Sequence, residues 1–128
     1  MNFAYLILYV PDVTASVTFY ERAFGLARRF VDDSGRYAEL ETGATALAFA
    51  DANFAPTRGA FRPSRPAEAA AAAEIAFATR DVDAGYARAL AAGATAVSSP
   101  AAKPWGQVVA YVRDANGFLV ELCTPIAA

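Results

Sequence analysis

The chain predicts an α+β fold of two β-α-β-β-β units, and three observations carry that prediction. An apolar run rich in aromatic and β-branched residues, Phe3–Val10, leads into an amphipathic segment that stops at Gly25. The same order returns later, from Glu74 to Gly93. After each amphipathic segment come three short strand-like runs separated by turn residues. Agreement of order, caps, stops and spacing marks an internal repeat.

In the first unit, Phe3–Val10 reads as a strand bounded by Pro11. Asp12 or Thr14 can cap a helix by accepting N–H bonds from its first turn. Val13, Val17, Tyr20 and Phe24 recur at helical spacing, and Gly25 supplies the left-handed stop. Ala27–Val31, Arg36–Glu41 and Thr45–Ala50 are the following strands, with turns at Asp32–Gly35 and Thr42–Gly43. In the second unit Glu74–Thr79 is the strand and Asp81 the cap. Val82, Tyr86, Ala89 and Leu90 form the stripe, and Gly93 ends it. Thr95–Ser98, Gln107–Arg113 and Phe118–Thr124 complete the unit, with a turn at Asp114–Gly117.

The organisation is therefore one domain, 1–128, made of unit one (1–50), a linker (51–73) and unit two (74–128). The linker begins as a Pro- and Arg-rich loop and ends in Ala67–Ala73, a run of strong helix formers. Phe54 and Phe61 within it are expected to fold back over something apolar.

Composition narrows the function. The chain is 56% hydrophobic and 19% charged, enough apolar content for a real core. A net charge of −2 with no basic run argues against a nucleic-acid partner. Phe3–Val10 is too short for a membrane span and lacks the positive flank of a signal peptide, so no membrane association is expected. Cys123 is the only cysteine, which suits a reducing cytoplasm. There is no histidine.

The paired units, with "YVPDVTASVTFYERAFGL" early and "KPWGQVVAYVRDANGFLVEL" late, resemble the vicinal oxygen chelate superfamily. That group holds glyoxalases, extradiol dioxygenases, fosfomycin-inactivating enzymes and bleomycin resistance proteins. The resemblance implies that the two units pair into a curved, incomplete barrel around a ligand cleft, and that the chain forms a homodimer. The late turn, usually Asp-Pro-Asp-Gly, is Asp-Ala-Asn-Gly here, and Asn-Gly still suits a turn.

The resemblance also implies where a metal would bind: on the first and last strand of each unit. Those positions carry Tyr5, a residue near Leu47, Glu74 and Glu121. Imidazole is the commonest ligand for zinc, nickel and iron, and this chain has none. The reading is therefore no metal and no cofactor.

Strand alternation puts Tyr5, Ile7 and Tyr9 on one face, Glu74, Ala76 and Ala78 on another, and Leu119, Glu121 and Cys123 on a third. Tyr37, Glu39, Gln107, Val109 and Tyr111 are expected to point the same way, with Trp105 walling one end. The expected ligand-binding set is thus Tyr5, Tyr9, Tyr37, Glu39, Phe54, Phe61, Glu74, Trp105, Gln107, Tyr111 and Glu121. Aromatics beside small alanines leave room for a flat or cationic small molecule. Each has a plainer role: the tyrosines as core residues, Glu121 as a structural hydrogen-bond acceptor, Glu74 as an exposed strand start, and Cys123 as filler.

Two function classes follow. One is a metal-free binding protein that sequesters a drug or metabolite in an aromatic cleft. The other is an isomerase, lyase or hydrolase acting on a small carbonyl compound, with Glu121 or Glu74 as general base and with or without a weakly held divalent metal such as Mg²⁺ or Mn²⁺.

Overall fold

Asp12 opens the first helix as the sequence predicts, its Oδ1 accepting the Ala15 N–H at 3.0 Å. The structure, a computed structural model, describes residues 1–126 and divides into two compact units, Met1–Ser64 and Arg65–Ala128.

Unit one runs β1 (Tyr5–Val10), α1 (Val13–Phe24), β2 (Arg28–Val31), β3 (Tyr37–Leu40) and β4 (Ala46–Asp51). Gly25 ends α1 at φ 68°, a conformation that only glycine adopts without strain. The sheet order is β1-β4-β3-β2. β1 and β4 are parallel, with Tyr5, Ile7 and Tyr9 opposite Ala46, Ala48 and Ala50. Period-two alternation divides the sheet into two faces. Leu8, Val10, Ala38, Leu40, Leu47 and Phe49 are buried and share the face that α1 covers. There Tyr20 meets Phe49 edge-on at 5.0 Å, and Val13, Val17 and Ala23 fill the space beneath. On the other face the three alanines of β4 lie between the larger residues of β1 and of β3, where Tyr37 and Glu39 pair with Ala50 and Ala48. Small residues on an inner strand and large ones on both neighbours make a trough.

Unit two repeats the plan: β5 (Glu74–Ala78), α2 (Val82–Ala91), β6 (Thr95–Ala102), β7 (Val108–Arg113) and β8 (Leu119–Cys123), in the order β5-β8-β7-β6. Asp81 caps α2 by accepting the Ala84 N–H. Val82 and Ala89 are its buried residues, while Tyr86 and Leu90 are only half-buried. β6 extends past the predicted Ser98 to Ala102, across Pro100. A proline is tolerated there because β6 is an edge strand and its register slips between Ser98 and Ala101.

The alanine-rich run Ala67–Ala73 forms no helix. Seven residues cannot offset the cost of nucleating a helix without packing support. The segment is instead held at its start, where Arg113 donates to the Pro66 and Arg65 carbonyls at 3.0 and 3.2 Å. The same guanidinium donates to Gly117 O at 2.9 Å, tying this stretch to the β7–β8 turn. No helix among the described residues is long and apolar enough to cross a membrane.

Candidate functional site

The candidate residues fall into two groups, one in each unit. In unit one Tyr5, Tyr9, Tyr37 and Glu39 share the trough face, as alternation predicts. Glu39 is only 7% exposed, and a buried carboxylate needs partners. It has two: Arg29 Nη1 at 3.2 Å and the Tyr37 hydroxyl at 2.8 Å. Arg29 also clamps Glu41 through Nε and Nη2 at 2.9 and 2.7 Å. Glu39 is thus already compensated within the sheet. Burial, then the bond to Glu39, pushes the Tyr37 hydroxyl well above the ordinary tyrosine pKa, so it remains a neutral donor.

Residues beyond β4 close over this face. Phe61 stacks on Tyr9 with ring centroids 4.4 Å apart and planes within 7°. Thr57 Oγ1 donates to the Tyr9 hydroxyl at 2.8 Å. The Arg36 guanidinium sits 3.5 Å above the Phe54 ring centroid. Both predicted linker phenylalanines therefore fold back onto aromatic or cationic partners of unit one. Between the trough and this segment lies a pocket of about 290 Å³, lined by Ile7, Tyr9, Arg36, Tyr37, Ala50, Asp51, Phe54, Ala55 and Pro56. Tyr5, further along β1, is 54% exposed and does not line it.

In unit two, Glu74, Tyr111 and Glu121 come together. Tyr111 and Glu121 are register partners on β7 and β8, and Ala76 faces Glu121 from β5. The Tyr111 hydroxyl donates to Glu121 Oε1 at 2.8 Å, which pushes the tyrosine pKa up to about 12. The Glu74 carboxyl is raised by partial desolvation, then by the Glu121 charge and a hydrogen bond with Glu121. The Cys123 thiol is raised by burial and by the same carboxylates, and it contacts Phe77 O at 3.7 Å. It is a poor nucleophile. Trp105 is 68% exposed. Its indole N–H donates to Gln107 Oε1 at 2.7 Å, and Gln107 Nε2 donates to Thr124 O at 2.8 Å. The Trp105–Gln107 pair thus forms its own chain of contacts at the start of β7.

The register corrects one position. Glu121 pairs with Ala76, two residues beyond Glu74. The matching residue of unit one, opposite Ile7 and two beyond Tyr5, is Ala48 and not Leu47. Leu47 points to the helix face. A methyl group is no more a ligand than an isobutyl one, so unit one offers a phenol and a methyl, and unit two offers two carboxylates. That donor set does not fit a histidine-type transition-metal centre. No group of three or more His, Cys, Asp or Glu among the described residues is arranged to hold a metal ion.

Arg29, Arg36, Asp51 and Thr57 were not among the expected site residues. The sequence places Arg36 within the strand Arg36–Glu41, where alternation sets it on the face opposite Tyr37; in the structure it precedes β3, so that parity does not hold. Its position after the Asp32–Gly35 turn gives no sign of the pocket.

The profile of the Glyoxalase/Bleomycin resistance protein/Dioxygenase superfamily matches residues 2–122, and the chain belongs to that superfamily. Similar solved structures include a glyoxalase-related enzyme from Fulvimarina pelagi, at 26% identity and TM-score 0.80, covering 98% of this chain and 88% of that one. TioX from Micromonospora sp. ML1 is 24% identical with TM-score 0.74, covering 97% and 98%. A glyoxalase/bleomycin resistance protein/dioxygenase family enzyme from Burkholderia phytofirmans PsJN is 20% identical with TM-score 0.76, covering 99% and 100%. The last two share the fold. Comparison with curated proteins finds no match.

Proposed function

We propose that the protein is a metal-free small-molecule binding protein that sequesters a flat aromatic drug or metabolite in the unit-one pocket. The observation that carries this reading is the pocket itself: about 290 Å³ walled by Tyr9, Tyr37 and Phe54 over the alanine trough. Aromatic walls with a few polar groups are the usual composition of a small-molecule site. Phe54 is 57% exposed, so cutting it back removes a wall without opening the core. Ligand-observed NMR with neutral one- and two-ring aromatic compounds should find binders that Phe54→Ala weakens about tenfold, as for an aromatic contact worth more than ~1 kcal/mol. Binders indifferent to that change would refute the assignment.

The Glu74–Glu121 pair favours a second reading. A carboxyl raised by partial burial and then by a like-charged neighbour, as Glu74 is, is a common acid–base device. An isomerase, lyase or hydrolase acting on a small carbonyl compound would use Glu121 or Glu74 as general base, and the sequence similarity to a glyoxalase-related enzyme is consistent with it. Glu121→Gln should then lower turnover about a hundredfold with binding retained.

We further propose a cytoplasmic homodimer with no nucleic-acid or membrane partner. β1 is an edge strand carrying the exposed residues Tyr5, Leu6 and Ile7, and an exposed apolar edge invites pairing with a second copy. Sedimentation at micromolar concentration should show twice the 13.4 kDa chain mass; a 13.4 kDa species alone would refute it.

A further inference from the structure

We propose that the unit-one pocket selects ligands bearing a carboxylate or similar planar anion, and that Arg36 is the residue that reads it. This rests on the pocket reading above and names the ligand class it left open.

Two donors in the lining carry the inference. The Arg36 guanidinium makes no ion pair and no hydrogen bond among the described residues; its contact is with the Phe54 ring beneath it. Stacking holds one face of the guanidinium and leaves its N–H edge free, which is the part that matches a carboxylate. The contact also restricts Arg36 before any ligand arrives, so less ordering is lost on binding. Tyr9 is the second donor. Its oxygen accepts from Thr57, so its own proton is left to donate. The Tyr37 hydroxyl does not compete for the ligand, since it is committed to Glu39.

The opposing charge is Asp51. One of its oxygens accepts the Asn53 N–H at 2.9 Å, in a turn of the kind that aspartate commonly closes. Arg58 adds positive charge to the same segment, donating to the Asn53 carbonyl at 2.7 Å. Glu39, on the trough floor, is compensated by Arg29. The lining thus carries one guanidinium and one carboxylate. The Asp51 carboxylate already accepts an N–H, whereas the N–H edge of Arg36 has no acceptor among the described residues. The aromatic walls call for a ring beside the anion that would meet that edge. An aromatic carboxylate satisfies both, whereas the sequence alone leaves a flat or a cationic ligand open.

Isothermal titration with benzoate, benzamide and benzamidine separates the possibilities, because the three share a ring and differ in charge. Benzoate should bind tightest to the wild type. Arg36→Gln should weaken benzoate about tenfold and change benzamide by less than about twofold, the loss expected for one charge-assisted contact. Asp51→Asn should strengthen benzoate. If benzamidine binds tightest, or Arg36→Gln leaves benzoate unchanged while benzamide still binds, the anion assignment is overturned and the pocket reading stands. If none of the three binds, the pocket reading fails and this inference fails with it.

Discussion

Ala48 and Glu121 hold the same position in the two units: each faces, from the last strand, the residue two beyond the start of its unit's first strand. One unit keeps a carboxylate there and the other a methyl group. The neighbouring first-strand positions, Tyr5 and Glu74, complete the contrast.

From this donor set, with no histidine in the chain, the purified protein should carry no stoichiometric transition metal. Elemental analysis after purification without chelators checks it. Near one equivalent of Zn, Ni, Fe or Mn per chain would contradict it.

Glu74 supplies a prediction about pH. Its pKa in the folded protein lies above the ordinary value of 4.5. The native state therefore holds this proton to higher pH than the unfolded chain does. Stability falls as pH rises from about 4.5 through the folded pKa, and the full penalty persists above it. Glu74→Gln removes the charge and keeps a donor toward Glu121. The variant should be more stable than wild type at pH 7 by roughly 0.2–1 kcal/mol, the range for solvent-screened charges, and should lose that advantage near pH 4. Paired urea titrations at the two pH values test this. An advantage that grows toward low pH would reverse the sign and contradict the account.

Gly117 is constrained from two sides. Its φ is +93°, and a Cβ there would lie 2.7 Å from Arg113 Nη2 and 2.9 Å from the Arg65 carbonyl carbon and oxygen. The arginine could move, but then its bonds to the Arg65, Pro66 and Gly117 carbonyls would be lost. Gly117→Ala should therefore destabilise the protein by about 1–3 kcal/mol. Gly43→Ala, strained at φ +92° but with open space around it, should cost less. Thermal melts of the two variants compare them directly, and equal losses would mean that the Arg113 clamp contributes nothing.

The fold was legible because its signals are local. Asp12, Gly25 and Asp81 act on the chain within a few residues, so caps and stops could be read along it. Alternation likewise puts Tyr9 and Tyr37 on one face, and Glu121 and Tyr111 on another. Where the sequence misled, tertiary context decided. The Ala67–Ala73 run has high helix propensity but no packing partner, and Arg113 fixes its start from far along the chain. β6 crosses Pro100 because the sheet leaves it at an edge. The difference between Leu47 and Ala48 is one residue of register, which spacing alone does not fix but which reverses the face. Arg36 and Asp51 enter the pocket through the placement of turns and a stacked phenylalanine, and nothing periodic marks them. The two charged residues of the lining are accordingly the least legible part of the pocket.

A ligand seated in the unit-one pocket would touch Ile7, Tyr9, Ala50, Phe54 and Ala55 together. Protein-observed NMR during titration with a one-ring aromatic compound such as benzoate tests that most directly. The resonances of Ile7, Tyr9, Ala50, Phe54 and Ala55 should shift together and saturate with one dissociation constant. Shifts confined to Glu74, Tyr111, Glu121 and their neighbours, with those five residues unmoved, would contradict it.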